Sequence, residues 1–122
     1  MSIGIDITEV KRIEELALQY ERFLPRVYTA LEIEYCVKKK NKYQHLAARF
    51  AAKESVLKAL GTGWSGRIDW KDVEIVNDQW GRPFVNTHGR VKEIVKERGI
   101  KTISITLSHC RDYAVAFAQI MV

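Results

Sequence analysis

A chain of 122 residues with 47% hydrophobic and 10% aromatic side chains, two prolines and seven glycines has enough apolar surface to offset its ordering entropy, which excludes a largely disordered or collagen-like protein. Its length is that of one domain, 1–122, and argues against a two-domain enzyme with a cleft between independent cores. Twenty Lys and Arg against fifteen Asp and Glu leave a net charge of +5, which favours an anionic partner such as nucleic acid, an acidic protein or a phosphorylated small molecule. Cys36 and Cys110 form no metal-like spacing and no disulfide framework, which points to a reducing compartment. The opening MSIGIDITEV lacks a basic leader pattern, and no apolar run approaches the ~18 residues that span a bilayer. A cytoplasmic protein without a membrane segment is expected.

In chain order, alternation of Ile3, Ile5 and Ile7 with Gly4, Asp6 and Thr8 predicts a half-buried strand, with the isoleucines inside and Asp6 facing away from the core. Thr8 is expected to cap a helix carrying Val10, Ile13, Ala17 and Tyr20. Thr29-Ala30-Leu31-Glu32 is a capping-box pattern that opens a second helix ending near Val37, followed by the basic run Lys38 to Lys42. Gln44 to Leu60 has the longest helical pattern, closed by Gly61. A hairpin is predicted from Val73–Val76 and Pro83–Val85, then a short helix through Val91, Ile94 and Val95. Strands over Thr102–Leu107 and Ala114–Ile120 complete the chain, and the last, apolar on both faces, is expected in the core or at a subunit contact. This order predicts an α+β domain with an antiparallel sheet packed on helices.

At 100° per residue, Ala47, Ala51, Glu54 and Lys58 share one stripe of the long helix, and the small alanines suggest room for a ligand beside the Glu54–Lys58 face. The plain alternative is a solvated i,i+4 pair worth ~0.3–0.5 kcal/mol. Against it, Arg49 and Lys53 interleave with Val56 and Leu60, which points to charges that meet a ligand or another subunit. Asp6 is either a strand-end charge or, together with Glu54, one of the one or two carboxylates with which proteins commonly hold Mg²⁺. His109 falls in a turn between two strands, solvated or poised to donate to a phosphate. No Ser-His-Asp order, HExxH, GxGxxG or P-loop is present, so protease, metalloprotease, dehydrogenase and NTPase readings are disfavoured. The basic positions lack the interleaved aromatics, RNP-like strand or helix-turn-helix of a nucleic-acid binder. A non-catalytic module that holds an acidic protein stands as the alternative to an enzyme.

Gly4-Ile5-Asp6-Ile7-Thr8-Glu9-Val10, Arg49-Phe50-Ala51-Ala52-Lys53-Glu54-Ser55 with Lys58-Ala59-Leu60-Gly61-Thr62-Gly63, Gly81-Arg82-Pro83, and Leu107-Ser108-His109 with Tyr113-Ala114-Val115-Ala116 follow one another across almost the entire chain. In these blocks the sequence resembles the bacterial holo-acyl-carrier-protein synthases, the short class of 4′-phosphopantetheinyl transferases. The resemblance implies transfer of 4′-phosphopantetheine from coenzyme A to a serine of apo-acyl carrier protein, for fatty acid biosynthesis, with adenosine 3′,5′-bisphosphate released. It implies Asp6 and Glu54 as Mg²⁺ ligands, Lys58 as a catalytic contact to the coenzyme A phosphates, and Gly61 beside the cofactor. A homotrimer with active sites between subunits is implied as well, in which Arg49 and His109 of a neighbouring chain, together with Lys40 and Lys42, hold the nucleotide phosphates. Asn41 stands where the family is frequently basic, and Trp64-Ser65-Gly66-Arg67 departs from its smaller, glycine-rich loops. Lys11, Arg12 and Arg22 are where the resemblance places docking of the acidic carrier. A carboxylate, or a water that it or the metal orients, would take the serine proton.

Overall fold

The computed structural model describes residues 1–122. Two antiparallel sheets flank one long helix. Strands β1 (Ser2–Glu9), β4 (Thr102–His109) and β5 (Tyr113–Met121) form the larger sheet in the order β1-β5-β4, and β2 (Val73–Asn77) pairs with β3 (Pro83–Thr87). Helices α1 (Val10–Gln19), α2 (Phe23–Val27) and α3 (Ala30–Val37) precede α4 (Lys42–Leu60), and α5 (Gly89–Glu97) follows β3. The antiparallel α+β architecture is the one the sequence predicts; α2 and a 3-10 turn at Trp70–Asp72 are additions. α2 is five residues long with Pro25 inside it, too short for a periodic signal.

α4 lies across the larger sheet and separates two apolar clusters. Val56, Leu57 and Leu60 pack with Val73, Ile75, Val91, Ile94, Ala116, Ala118 and Ile120, while Leu46, Phe50, Val10, Ile13, Val27, Tyr28 and Cys36 form the other. Alanines on both surfaces let helix and sheet approach closely. Ala47 and Ala51 have no exposed surface and serve this packing, so they leave no room for a ligand on that stripe.

The face assignment of β1 is inverted relative to expectation. Ile3, Ile5 and Ile7 are 60%, 60% and 66% exposed, while Gly4 and Thr8 are buried and Asp6 turns towards α4. The reason is the approach of the backbones: a Cβ built on Gly4 would lie 2.0 Å from the Ser55 carbonyl oxygen and 2.7 Å from the Ala59 nitrogen. No side chain fits there, and period 2 then sends the isoleucines outward. On β5 the same division buries Ala114, Ala116, Ala118 and Ile120 against α4 and leaves Val115 and Phe117 half-buried beside the isoleucines. Thr8 does not cap α1; its hydroxyl donates to Asp6 Oδ2 at 2.9 Å, and Glu9 occupies the cap position without a side-chain bond.

The capping box at Thr29 forms as predicted, and Glu32 does more than cap. Glu32 Oε1 accepts from Thr29 N and Lys53 Nζ, each at 2.8 Å, and Oε2 accepts from Ile75 N at 2.9 Å. Lys53, with no exposed surface, also donates to the carbonyls of Trp70 (3.1 Å) and Val73 (2.6 Å). This network ties α3, α4 and β2 together. Burial lowers the Lys53 pKa, against the raising effect of Glu32.

Glu74, also buried, accepts from Thr29 Oγ1 at 2.5 Å and from His88 Nε2 at 3.0 Å. Burial raises its carboxyl, but the bonds from Thr29 and His88, the His88 charge and the Asn86 amide outweigh it and hold Glu74 below the ordinary carboxylate range. A depressed carboxylate stabilises the fold above its unfolded pKa of about 4.3 and loses that contribution as the pH falls through its lower folded value. Glu74→Gln is therefore expected to flatten the acid limb of stability. Urea midpoints measured between pH 7 and pH 3 should fall less steeply for the variant than for the parent, and parallel curves would refute the assignment.

Candidate functional site

β1 is an edge strand, and Asp6 projects from its α4-facing side with a side chain 15% exposed. Asp6 Oδ1 accepts from Lys58 Nζ at 3.1 Å, and the same ammonium donates to the Ile5 carbonyl at 2.9 Å. Lys58 thus pairs with Asp6, not with Glu54 one turn earlier on its own helix. Two of its three donors are engaged, and the side chain remains 54% exposed. Glu54 is half-buried, and its Oε1 accepts from the Trp64 indole at 3.3 Å. Gly61, at φ +75°, closes α4 in the left-handed conformation and starts the loop that carries Trp64.

Asp6 and Lys58 therefore meet where β1 lies on the C-terminal half of α4, with Glu54 one turn before Lys58 on the same helix. No set of three or more His, Cys, Asp or Glu side chains forms a self-sufficient metal cage. The donor set fits a hard cation that takes one or two carboxylates from protein and completes its shell with water and substrate phosphate.

His109 lies at the other end of α4. Its Nδ1 is 2.8 Å from Gln44 Oε1, which also accepts from Asn41 Nδ2 at 3.1 Å, and its ring meets His45 edge-on at 4.9 Å. Burial lowers the His45 pKa, and His109, Arg49 and Lys39 push the same way, which favours the uncharged ring. Arg49 is 2% exposed: its guanidinium bonds Asn77 and lies 4.1 Å from the centre of the Tyr35 ring, with Nε unpartnered. With Tyr35, Lys38, Lys39 and Asn77 it lines a pocket of about 450 Å³. Lys40 and Lys42 are exposed beside the start of α4. The charges that interleave with apolar residues on α4, Arg49 and Lys53, are thus held by groups of their own chain. Gln44 and Glu54 stand ten residues apart on α4, ~15 Å at 1.5 Å per residue. One chain carries two clusters that do not meet.

Lys11, Arg12 and Arg22 are exposed on and just after α1, and Arg12 reaches over Phe50, 5.7 Å from the ring centre. Gln44 and His45 are functional candidates the sequence reading passes over. The available signal for His45 is its i,i+4 spacing to Arg49.

A family model described as the 4′-phosphopantetheinyl transferase superfamily matches residues 2–118. The chain belongs to this superfamily. A holo-(acyl-carrier-protein) synthase of Moorella thermoacetica is 45% identical over 120 residues, covering 98% of this chain and 93% of its own length. Among solved structures of the superfamily, the holo-(acyl-carrier-protein) synthase of Neisseria meningitidis matches with a TM-score of 0.90 at 31% identity, covering 99% of this chain and 98% of that one. The Helicobacter pylori synthase, crystallised in complex with coenzyme A, matches with a TM-score of 0.85 at 30% identity over 98% and 99% of the two chains. No helix of this superfamily member is long and apolar enough to cross a membrane.

Proposed function

We propose that the two clusters on α4 are halves of one composite site, joined when chains associate. The protein is a transferase that moves 4′-phosphopantetheine from coenzyme A to a serine of apo-acyl carrier protein, yielding the holo-carrier of fatty acid biosynthesis and adenosine 3′,5′-bisphosphate. In our reading residues 1–122 form one phosphopantetheinyl transferase domain, and Asp6 and Glu54 hold Mg²⁺. Bound there, the ion would neutralise the pyrophosphate and polarise the phosphoryl centre. The pairing of Asp6 with Lys58 beside Glu54 carries this reading.

Asp6 holds the Lys58 ammonium at the mouth of the site, and the third N–H of Lys58 is free to meet a phosphate oxygen and offset charge on the leaving group. Gly61 brings bare backbone near the cofactor. Lys40, Lys42, Arg49 and His109, ~15 Å along the helix, are assigned to the nucleotide phosphates of a site completed by the neighbouring subunit. A homotrimer is supported by the apolar outer face of Ile3, Ile5, Ile7, Val115 and Phe117, which one chain leaves uncovered. Lys11, Arg12 and Arg22 form the docking surface for the acidic carrier, and we place the enzyme in the cytoplasm with no nucleic-acid role.

Mass spectrometry of apo-acyl carrier protein incubated with coenzyme A, Mg²⁺ and the enzyme should register one phosphopantetheine-sized gain, dependent on the metal. No gain would leave a carrier-binding module instead. Replacing Lys11, Arg12 and Arg22 with alanine should raise the KM for carrier and weaken its salt dependence, with kcat little changed. Light scattering should report three chains per particle.

A further inference from the structure

We propose that Trp64 is a positioning residue for Glu54, fixing the rotation of that carboxylate through its indole N–H; the inference rests on the reading of Glu54 as a metal ligand. Trp64 Nε1 donates to Glu54 Oε1 at 3.3 Å, the one hydrogen bond Glu54 receives from another side chain, and Oε2 is left without a protein partner. The indole can only donate, so it fixes Oε1 as an acceptor and turns Oε2 away from the ring, where it is open to a cation.

A second observation explains why this contact is held. Trp64 packs on Trp70 with ring planes tilted by 37° and ring centres 3.7 Å apart, and Trp70 stacks on Phe50 at 4.9 Å. Phe50 and Glu54 are i,i+4 neighbours on one face of α4. The ladder therefore leaves α4 at Phe50, passes through two indoles and returns to the same helix at Glu54, one turn along. The loop it anchors contains glycines at positive φ, Gly63 at +58° and Gly66 at +69°, and is held as well by Ser65 Oγ donating to the Thr62 carbonyl at 2.8 Å and by the Arg67–Glu93 pair. A carboxylate that binds a metal through one oxygen and takes a fixed donor on the other is the usual outer-shell arrangement, and loss of such a donor costs about 10–100-fold in metal affinity or activity. Nothing in the motif blocks reveals this role, because Trp64 lies outside them.

Trp64→Phe keeps an aromatic ring against Trp70 and removes the N–H donor, along with the second ring of the indole. It should raise the Mg²⁺ concentration for half-maximal transfer by about 10-fold, with thermal unfolding still cooperative. A readout independent of turnover uses ¹⁵N-labelled tryptophan in the ligand-free protein. Glu54→Ala should shift the Trp64 indole N–H resonance and speed its exchange with water, leaving that of Trp80 in place. Superimposable Mg²⁺ curves for Trp64→Phe and the parent, with Trp64→Leu impaired, would mean that Trp64 only packs, and would overturn the proposal. An indole resonance indifferent to Glu54→Ala would overturn it too. Full transfer by Glu54→Ala would instead reject Glu54 as a metal ligand while leaving the resonance shift as evidence for the bond itself.

Discussion

Replacing Asp6 with alanine is expected to lower the rate of phosphopantetheine transfer by about 100-fold or more while the protein stays folded. Asp6 has two tasks in the structure, one through each oxygen: it orients Lys58 and it accepts from the Thr8 hydroxyl. Truncation leaves the half-exposed Lys58 in water, so no buried charge is stranded. The buried Thr8 hydroxyl loses its partner, at a cost of about 1–3 kcal/mol. Asp6→Asn separates the tasks: an amide accepts from Thr8 through its oxygen and restores stability, but it lacks the charge that a cation and Lys58 require, so activity should stay low. Glu54→Ala should match Asp6→Ala in rate on the proposal that both carboxylates hold one ion. Rates from the mass-shift assay, paired with urea unfolding, decide the matter. Full turnover by Asp6→Ala would sink the assignment, whereas loss of both rate and fold would make the effect structural.

The largest effect on stability is expected at Lys53. Lys53→Met keeps the volume and removes the ammonium, leaving Glu32 ionised and uncompensated in a site with no exposed surface on either partner. Breaking a buried pair in this way costs about 3–5 kcal/mol, a large part of the stability of a domain this size. Combining Lys53→Met with Glu32→Gln removes the stranded charge and should recover part of the loss. Recovery cannot be complete, because the carbonyls of Trp70 and Val73 still lack the donor that Lys53 supplies. A double-mutant cycle by urea denaturation measures the coupling. Additive losses would show that the pair contributes nothing beyond packing.

Where local chemistry decides the outcome, the chain is legible before it folds. The capping box at Thr29, the left-handed Gly61 and the long helix of alanines and leucines are consequences of near neighbours, and each forms as expected. The faces of β1 are not local. Alternation divides Ile3, Ile5 and Ile7 from Gly4, Asp6 and Thr8, but which set lies inside depends on how closely α4 passes, and that is a property of Ser55 and Ala59 some fifty residues away. The same distance hides the partners of Lys53 and Arg49: both sit among apolar residues of α4, but the groups that hold them come from α3, β2 and the turn at Trp70. At the site, the motif blocks single out Asp6, Glu54 and Lys58, and the fold joins Asp6 to Lys58 at the β1–α4 junction, one helical turn from Glu54. They do not foretell that Lys58 pairs with Asp6 and not with Glu54 on its own helix, a preference set by how closely β1 lies on α4.

Gly4 has a bearing on any attempt to move this site to another scaffold. The gap between strand and helix is set by peptide groups in direct contact, with no side chain between them to stretch, tilt or repack. Grafting Asp6, Glu54 and Lys58 as three side chains would therefore carry over the chemistry without its ruler. A transplant would need the Gly4–Asp6 segment and the Glu54–Ala59 turn as a single rigid pair, and a host whose strand can be bare at one position.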